Sequence, residues 1–330
     1  MHSRRFVITN IGSNLNSHHA GFAVVMVLSV IALLSLLMTS LMTRNSQLLQ
    51  LSTSTLHQYQ GRAYLLGSEA WAQAILLDDL RQSDVDHRNE NWAYPVPIML
   101  VEGGNVSGAL EDLNGRFNVN NLVQGKEVSP FWVALFKELL RQQNASPDLV
   151  WQLVDWLDED LESHQGGMED ARYYAKQSPH RSANTAMVDV SEMSMVAGFD
   201  VDLVTRLTPL LSALPSGTKV NVNTASETLL EVLGSLWHDE TWQVKDMLKT
   251  RPWYSLDELP VDANIESPSG IGAEGVYLDQ NNMSDYLSLK SHYFRLDAQA
   301  QVTEQSTRVL TKFQRTQEIR VLSRIWLPGD

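Results

Sequence analysis

The strongest pattern in the chain is a run of apolar residues near the N-terminus. Phe22 to Met42 is 21 consecutive residues without a formal charge. A helix of that length rises about 30 Å, which matches the hydrocarbon core of a bilayer. Leu28, Ile31 and Leu34 spread around the helix rather than along one face, so the run predicts a membrane-spanning helix.

Helical periodicity continues beyond this run, because apolar residues recur there at spacings of three and four. The recurring positions are Leu48, Leu49, Leu56, Tyr59, Ala63, Leu66, Ala70, Ala74 and Leu77. No proline interrupts Phe22 to Leu80, and the pattern therefore predicts one long helix whose second half is amphipathic. Gly61 and Gly67 each weaken that helix by about 1 kcal/mol.

After the long helix, the predicted secondary structure changes twice, from strands to helices and back to strands. Residues 81–117 carry turn signals and short alternating runs typical of strands, and residues 129–262 carry helix signals. The stretch 287–326 alternates again and predicts an antiparallel meander. Start signals in the helical block include Ser129-Pro130 and the capping-box spacings Asp189/Glu192 and Thr224/Glu227. The predicted class is α+β, with strands flanking a large helical block.

Four tryptophans at helical positions among apolar neighbours are predicted core residues: Trp71, Trp132, Trp151 and Trp156. Two polar segments echo each other within the block, Asn118-Val-Asn120-Asn121 and Asn221-Val-Asn223-Thr224. Each is interpreted as a strand end that feeds a capped helix.

Composition narrows the function classes. The 330 residues carry a formal net charge of −14, which opposes binding to phosphate backbones and suits divalent cations. There is no cysteine, so disulfides, thiolate metal sites and cysteine nucleophiles are excluded.

The N-terminal leader resembles a known processing signal. Arg4 and Arg5 precede the apolar run without an acid, which favours a cytoplasmic N-terminus. A cleaved secretory signal would have a shorter apolar region and a small-x-small site. The Gly21-Phe22 pair resembles the prepilin-peptidase site of type IV pilins and type II secretion pseudopilins. Cleavage there would keep the apolar helix and, by removing both arginines, change the net charge from −14 to −16.

Met26 departs from that superfamily's pattern. Most members carry Glu at the fifth mature residue, where it is thought to pair with the N-terminal ammonium of a neighbouring subunit. Leaving one partner of a buried charge pair alone costs several kcal/mol. A subunit with Met26 cannot offer this pairing, which favours a place at the tip of a filament.

Taken together, the motifs resemble one family, the minor pseudopilin K of type II secretion systems. The resemblance rests on Gly21-Phe22 with Met26, on Leu113-Asn-Gly-Arg-Phe-Asn-Val-Asn120, on Asp155-Trp-Leu-Asp158-Glu-Asp160 with Gly167-Met-Glu169-Asp170, and on Val220-Asn-Val-Asn-Thr-Ala225. It implies a pilin-like fold with a large all-α domain inserted into the sheet region.

The resemblance also implies a domain plan and a set of partners. The plan has a leader (1–21), an N-terminal helix (22–80, with 22–42 transmembrane), a pilin-like α/β domain (81–117 and 265–330) and an inserted helical domain (118–264). The implied protein is a single-pass inner-membrane subunit with its bulk in the periplasm. Its partners would be minor pseudopilins I and J, the major pseudopilin and the prepilin peptidase. It would prime assembly of the pseudopilus that exports folded proteins across the outer membrane.

A dense acidic loop provides the candidate cation site. Residues 155–170 contain seven carboxylates, and calcium takes six to eight oxygen ligands from flexible loops. The spacing is not that of an EF-hand. The resemblance likewise points to calcium, and the predicted ligands are Asp158, Asp160, Glu169 and Asp170. Asp155 lies one helical turn before Asp158 and is predicted to support the ligands rather than to bind the ion. The alternative is a solvated acidic helix end.

Two other functions stay open. Residues 220–258 resemble a helix-hairpin-helix nucleic-acid-binding repeat, with Leu233-Gly-Ser-Leu236 at the hairpin, although the acidic chain opposes nucleic-acid binding. A signal-anchored periplasmic metal-dependent hydrolase could use His164 with Glu169 and Asp170. No nucleophile or phosphate-loop motif supports this enzyme, and the prediction is a structural subunit that is not an enzyme.

Overall fold

The computed structural model describes residues 17–159, 163–164, 182–237, 244–259 and 283–329. The chain divides into two compact units, Met1–Gln60 and Gly61–Asp330. The described part of the first unit is helical throughout.

The longest element is the helix α1, Ser17–Gln82, which confirms the predicted uninterrupted helix. In the second unit its sheet-facing side chains are Leu65, Ala72 and Leu76, which are fully buried. The apolar stripe predicted from the periodicity lies on the opposite side of the helix, where Leu66 is 46% exposed. α1 is therefore apolar on two faces, and the sheet covers one of them.

A five-stranded antiparallel sheet packs on α1, with strand order β1-β2-β9-β10-β11. These strands are β1 (Val96–Val101), β2 (Gly104–Asp112), β9 (Tyr293–Val302), β10 (Gln305–Arg315) and β11 (Ile319–Pro328). Alternate residues of β9 and β10 are buried, including Phe294, Leu296, Val309 and Phe313, as the period of two predicted. The fold class is thereby confirmed.

A buried charge cluster fixes α1 to the far edge of this sheet. Glu69 accepts hydrogen bonds from Arg324 of β11 at 2.6 and 2.5 Å and from the Thr311 hydroxyl at 2.6 Å. Burial opposes ionisation of Glu69, but the bonds from Arg324 and Thr311 outweigh it and lower the pKa of Glu69.

The helical block follows β2 in the chain and ends before β9. Its helices are α2 (Pro130–Gln142), α3 (Leu149–Leu157), α4 (Val201–Leu207), α5 (Glu227–Trp237), α6 (Val244–Thr250) and α7 (Met283–Tyr286). Short 3-10 turns cover Asn91–Ala93, Val119–Leu122, Val190–Met195, Thr208–Leu210 and Leu256–Glu258. Short strands also form two-stranded sheets. They pair β3 (Phe117–Asn118) with β6 (Leu211–Ser212), β4 (Val123–Gln124) with β5 (Glu127–Val128), and β7 (Val220–Asn221) with β8 (Leu287–Ser288). The predicted domain boundaries stay predictions.

The core of the block is aromatic at its centre. Phe117 contacts Trp132 edge-on at 5.7 Å between ring centroids and stacks on Phe136 at 5.1 Å. Trp132 and Trp156 are buried as predicted, and Trp151 is partly buried against the same core. The prediction that Trp71 is a core residue was wrong, because its side chain is 38% exposed.

Candidate membrane anchor and cation site

The apolar part of α1 has the properties of a membrane span. By length and composition α1 can cross a bilayer: its most apolar window has a mean hydropathy of 2.7 and no buried residue. Its hydroxyls are satisfied inside the helix, since Ser29 donates to the Val25 carbonyl and Ser35 to the Ile31 carbonyl, both at 2.8 Å. The segment therefore presents side chains to lipid without an unpaired hydroxyl at these positions.

The predicted processing site lies within this helix. α1 begins at Ser17, so the Gly21-Phe22 bond is helical, and an added Cβ at Gly21 would meet nothing within 4 Å. Phe22 and Met26 are both exposed, and Met26 leaves this turn without a carboxylate. Cleavage between Gly21 and Phe22 stays a prediction.

Two of the acidic-loop carboxylates meet a histidine at the end of α3. Asp155 is fully buried, Asp158 is 5% exposed, and one ligand atom from each lies within 4.8 Å of the others and of His164. The Nδ1 atom of His164 lies 2.7 Å from Asp155 Oδ1 and 3.7 Å from Asp158 Oδ2. The predicted ligand Asp158 therefore belongs to this group, and so does Asp155, which was predicted only to support the ligands; both roles stay predictions.

The other predicted ligands lie outside the described residues, namely Asp160, Glu169 and Asp170. The donor chemistry of the described part still fits a cation that prefers oxygen, because two buried carboxylates converge on one point. The imidazole of His164 also stacks on Trp151 at 5.5 Å between ring centroids, which holds His164 against α3. This packing partner was not evident from the sequence.

A second acidic group in the second unit already contains a guanidinium. Asp79, Asp86 and Glu90 also place ligand atoms within 4.8 Å of one another. The guanidinium of Arg315, which is 1% exposed, donates to Asp79 at 2.6 Å and to Asp86, so it takes the position that a cation would need. Burial, followed by repulsion from Glu90, raises the pKa of Asp79 to about 6.

The second asparagine motif joins the helical block to this cluster. Asn221 donates to the Asp86 carbonyl at 3.1 Å and to the Ser291 hydroxyl at 2.7 Å. Asp112, at the end of β2, accepts from Ser291 at 2.5 Å and from Thr224. Burial raises the pKa of Asp112 to about 6. These side chains connect the sheet to the helical block, which is a structural role.

The first asparagine motif, residues 118–121, makes hydrogen bonds within the helical block. Asn118 accepts from the Asn120 amide at 3.2 Å and from the Leu214 amide at 2.9 Å, while Asn120 bonds both the Met187 amide and carbonyl. Asn118 ends β3 and its side chain caps the turn that follows, as predicted, but that turn is the 3-10 turn Val119–Leu122 rather than the predicted helix.

The helix-hairpin-helix interpretation fails at its hairpin. Leu233 to Leu236 lie within α5, which runs from Glu227 to Trp237, so these residues form no turn that could hold a phosphate. The basic residues Arg88 and Arg251 lie near this region, but both donate to carbonyl groups of residues 222–225.

Comparisons with known proteins agree with one another. A family model described as type II secretion system (T2SS), protein K, matches residues 115–216. Type II secretion system protein K of Pseudomonas aeruginosa is 36% identical over 244 residues, which cover 70% of this chain and 72% of that protein. The protein of the same name from Pectobacterium carotovorum is 28% identical over 87% of this chain and 90% of its own length.

A solved structure has the same fold. One chain in the crystal structure of the GspK-GspI-GspJ complex from enterotoxigenic Escherichia coli matches with a TM-score of 0.73. The match covers 84% of this chain and 99% of that one, at 24% sequence identity.

Proposed function

The chain belongs to the type II secretion system protein K family, and from that premise we propose that it is a minor pseudopilin at the tip of the secretion pseudopilus. The observation that carries the proposal is α1, whose uncharged membrane segment continues into a helix packed on an antiparallel sheet. Such a subunit is held in the membrane before assembly and moves into a filament afterwards. Its role in export would be to prime pseudopilus growth.

The sequence around Met26 supports the tip position. A subunit without a carboxylate at that turn cannot pair with the terminal ammonium of a subunit above it, and a tip subunit has no such neighbour. The proposed partners are minor pseudopilins I and J, the major pseudopilin and the prepilin peptidase. The GspK relative of known structure was crystallised with GspI and GspJ, which supports the first two.

The proposed location is the inner membrane, with the chain after Met42 in the periplasm. Arg4 and Arg5 support a cytoplasmic N-terminus, because positive residues stay on that side. The role is structural rather than catalytic. The histidine of the hydrolase alternative, His164, is held between Asp155 and Trp151, which is a packing arrangement.

N-terminal sequencing of the membrane-extracted protein, combined with co-purification, tests the function. The mature chain is expected to begin at Phe22 and to retain minor pseudopilins I and J in mild detergent. A mature chain that begins beyond Met42 and stays free of both partners would refute the proposal.

We further propose that Asp155 and Asp158 contribute to a calcium site in the helical block. The support is their burial and convergence, because carboxylate oxygens that converge on one point are the ligands that calcium prefers. Predicted ligands Asp160, Glu169 and Asp170 belong to the same loop in the sequence. Calcium bound there would stabilise the end of α3.

Thermal unfolding with calcium or with chelator tests this site. A site held at 100 times its dissociation constant adds about 2.7 kcal/mol, so chelator should lower the melting temperature. Asp158→Asn should remove that shift, while Asp202→Asn, at an exposed position on α4, should keep it. Equal melting temperatures with and without chelator in the wild-type protein would exclude the site.

A further inference from the structure

The starting point is a cavity of 270 Å³ between the five-stranded sheet and the helical block. Arg295 of β9 and Lys312 of β10 line it from the sheet. Both side chains are on the face turned away from α1, because the adjacent Phe294 and Phe313 pack on α1. Residues of the 3-10 turn Val190–Met195, of α4 and of the loop after β2 line the other sides. Neither the membrane segment nor the proposed calcium site uses this cavity.

The sheet side of the cavity places two cations directly opposite each other. Lys312 pairs with Arg295 across the antiparallel strands β9 and β10, and like charges at such positions destabilise a sheet. Glu111 of β2 is the other cross-strand neighbour of Arg295 and accepts a hydrogen bond from it at 2.7 Å. Arg116 donates to the same carboxylate. Glu111 is therefore shared by two guanidiniums, while no carboxylate among the described residues accepts a hydrogen bond from Lys312.

Lys312 and Arg295 each retain a donor that the described residues do not use. The ammonium of Lys312 donates to the Val188 and Ala213 carbonyls, both at 3.0 Å, which leaves one of its three N–H groups. The Nε atom of Arg295 is buried and has no hydrogen-bond partner among the described residues. Residues directly opposite on antiparallel strands have Cβ atoms about 5 Å apart, so the two oxygens of one carboxylate could accept from both side chains.

The electrostatics of the cavity favour a singly charged anion. Burial lowers the pKa of Lys312, and the positive charge of Arg295 lowers it further. Asp189 and Glu192 oppose this shift, but both accept hydrogen bonds from backbone amides as members of a capping box. An anion beside Lys312 and Arg295 would offset their repulsion. Because Asp189 also lines the cavity, it would repel a phosphate dianion more strongly than a carboxylate.

The size and the surroundings of the cavity indicate which molecule carries the carboxylate. A volume of 270 Å³ is just below the range of about 300–1,000 Å³ typical of small-molecule pockets, so it suits one side chain better than a larger metabolite. Val188, whose carbonyl bonds Lys312, is 71% exposed. Val201, one turn before the lining residue Val204 on α4, is 76% exposed. Exposed apolar residues beside a polar site are typical of surfaces that bind proteins.

From these observations we infer that the cavity binds one carboxylate group, an aspartate or glutamate side chain of a protein that docks on the helical block next to the sheet. Lys312 and Arg295 would bind the carboxylate, and Val188 and Val201 would contact apolar side chains around it. The inference goes beyond the proposed function, because neither membrane anchoring nor the tip position requires a carboxylate site on this face.

Saturation-transfer difference NMR on the full chain in deuterated detergent tests the site. The probe is N-acetyl-glutamate N-methylamide, which carries the carboxylate on a peptide backbone, and the glutamine analogue is its neutral control. The glutamate probe should give a saturable signal that the glutamine probe does not give. Lys312→Met should weaken binding about tenfold or more, because a hydrogen bond to a charged group is lost, whereas Lys312→Arg should retain it. The matched control is Lys219→Met, because Lys219 donates to the Ser284 carbonyl outside the cavity.

Arg295→Met removes the second donor and should weaken binding to a similar extent, which keeps the test decisive if Lys312→Met does not fold. Equal signals from the glutamate and glutamine probes, or equal binding by Lys312→Met and Lys219→Met, would overturn the inference. Binding of free butyrate without binding of the glutamate probe would overturn the protein source. Displacement of the glutamate probe by an equal concentration of inorganic phosphate would overturn the choice of a carboxylate.

Discussion

Arg315 provides a sharp test of how the sheet, the end of α1 and the following loop are held together. Its guanidinium donates to Asp79 at 2.6 Å, to Asp86 and to the Ser291 carbonyl at 2.9 Å, and it lies 4.5 Å from the centre of the Phe294 ring. Arg315→Met keeps much of the side-chain volume and removes the charge. Removing one partner of a buried ion pair costs about 3–5 kcal/mol, because the remaining carboxylates are left in a low-dielectric site.

The loss should depend on pH in a defined direction. The pKa of Asp79 is already raised to about 6, with burial as the main cause, and losing Arg315 removes two interactions that lower it. A group whose folded pKa lies above its unfolded value binds more protons in the folded state, so stability rises as pH falls through the folded pKa. The destabilisation by Arg315→Met should therefore be larger at pH 7.5 than at pH 5.

Tryptophan fluorescence during urea unfolding of the full chain in detergent measures this loss. All nine tryptophans follow the membrane segment, so the signal reports the second unit. The matched control is Arg320→Met on β11, where an exposed pair with Glu318 should contribute no more than about 1 kcal/mol. A loss for Arg315→Met as small as that of the control, or one that grows on acidification, would refute the reasoning.

Three further predictions follow from other parts of the chain. Asp112→Asn should reduce the slope of the wild-type stability profile between about pH 4 and 6, because burial raises the pKa of Asp112 to about 6 and its contribution weakens as pH rises through that range. Asp79 keeps its own contribution, so urea titrations at several pH values should show a smaller slope, and an unchanged slope would contradict the prediction. Gly21→Ala should block processing without disturbing α1, because the added methyl group meets no neighbour; a variant that still matures to Phe22 by mass spectrometry would contradict this. The purified chain should fail to shift a DNA duplex at low salt, and a shift that disappears at higher salt would revive the nucleic-acid alternative.

The sequence predicted the starts of helices well where these starts depend on residues that are neighbours in the chain. Ser129-Pro130 marks the start of α2, and the Asp189/Glu192 capping box is present. At Thr224/Glu227 the helix does begin at Glu227, but the capping oxygen belongs to Ser226, which accepts from the Leu229 amide. Which side chain caps a helix depends on where the helix begins to within one or two residues. The spacing of residue types in the sequence does not determine that position.

Contacts between charged side chains that are far apart in the sequence could not be predicted. Asp79, Asp86, Asp112 and Arg315 come from α1, a loop and the ends of two strands, and no spacing rule connects them. The periodicity likewise predicted one apolar face of α1, but a different face meets the sheet, because it packs on β9 and β10, which lie more than 200 residues away in the sequence. Asp158 could be selected as a candidate ligand because acidic residues cluster around it in the sequence, whereas no local spacing indicates that His164 stacks on Trp151.

The way the helical block leaves and rejoins the sheet has a consequence for the evolution of the chain. Asp112, the last residue of β2, lies opposite Phe294 of β9, and the Leu113 amide bonds the Tyr293 carbonyl at 2.9 Å. The chain therefore leaves the sheet at the end of β2 and returns at the start of β9, where the two strands are hydrogen-bonded neighbours. A tight hairpin could connect these two ends directly. An insertion between neighbouring residue pairs of two adjacent strands can lengthen, shorten or be exchanged without changing the register of any strand, so the helical block can acquire new contacts while the sheet and α1 stay constant.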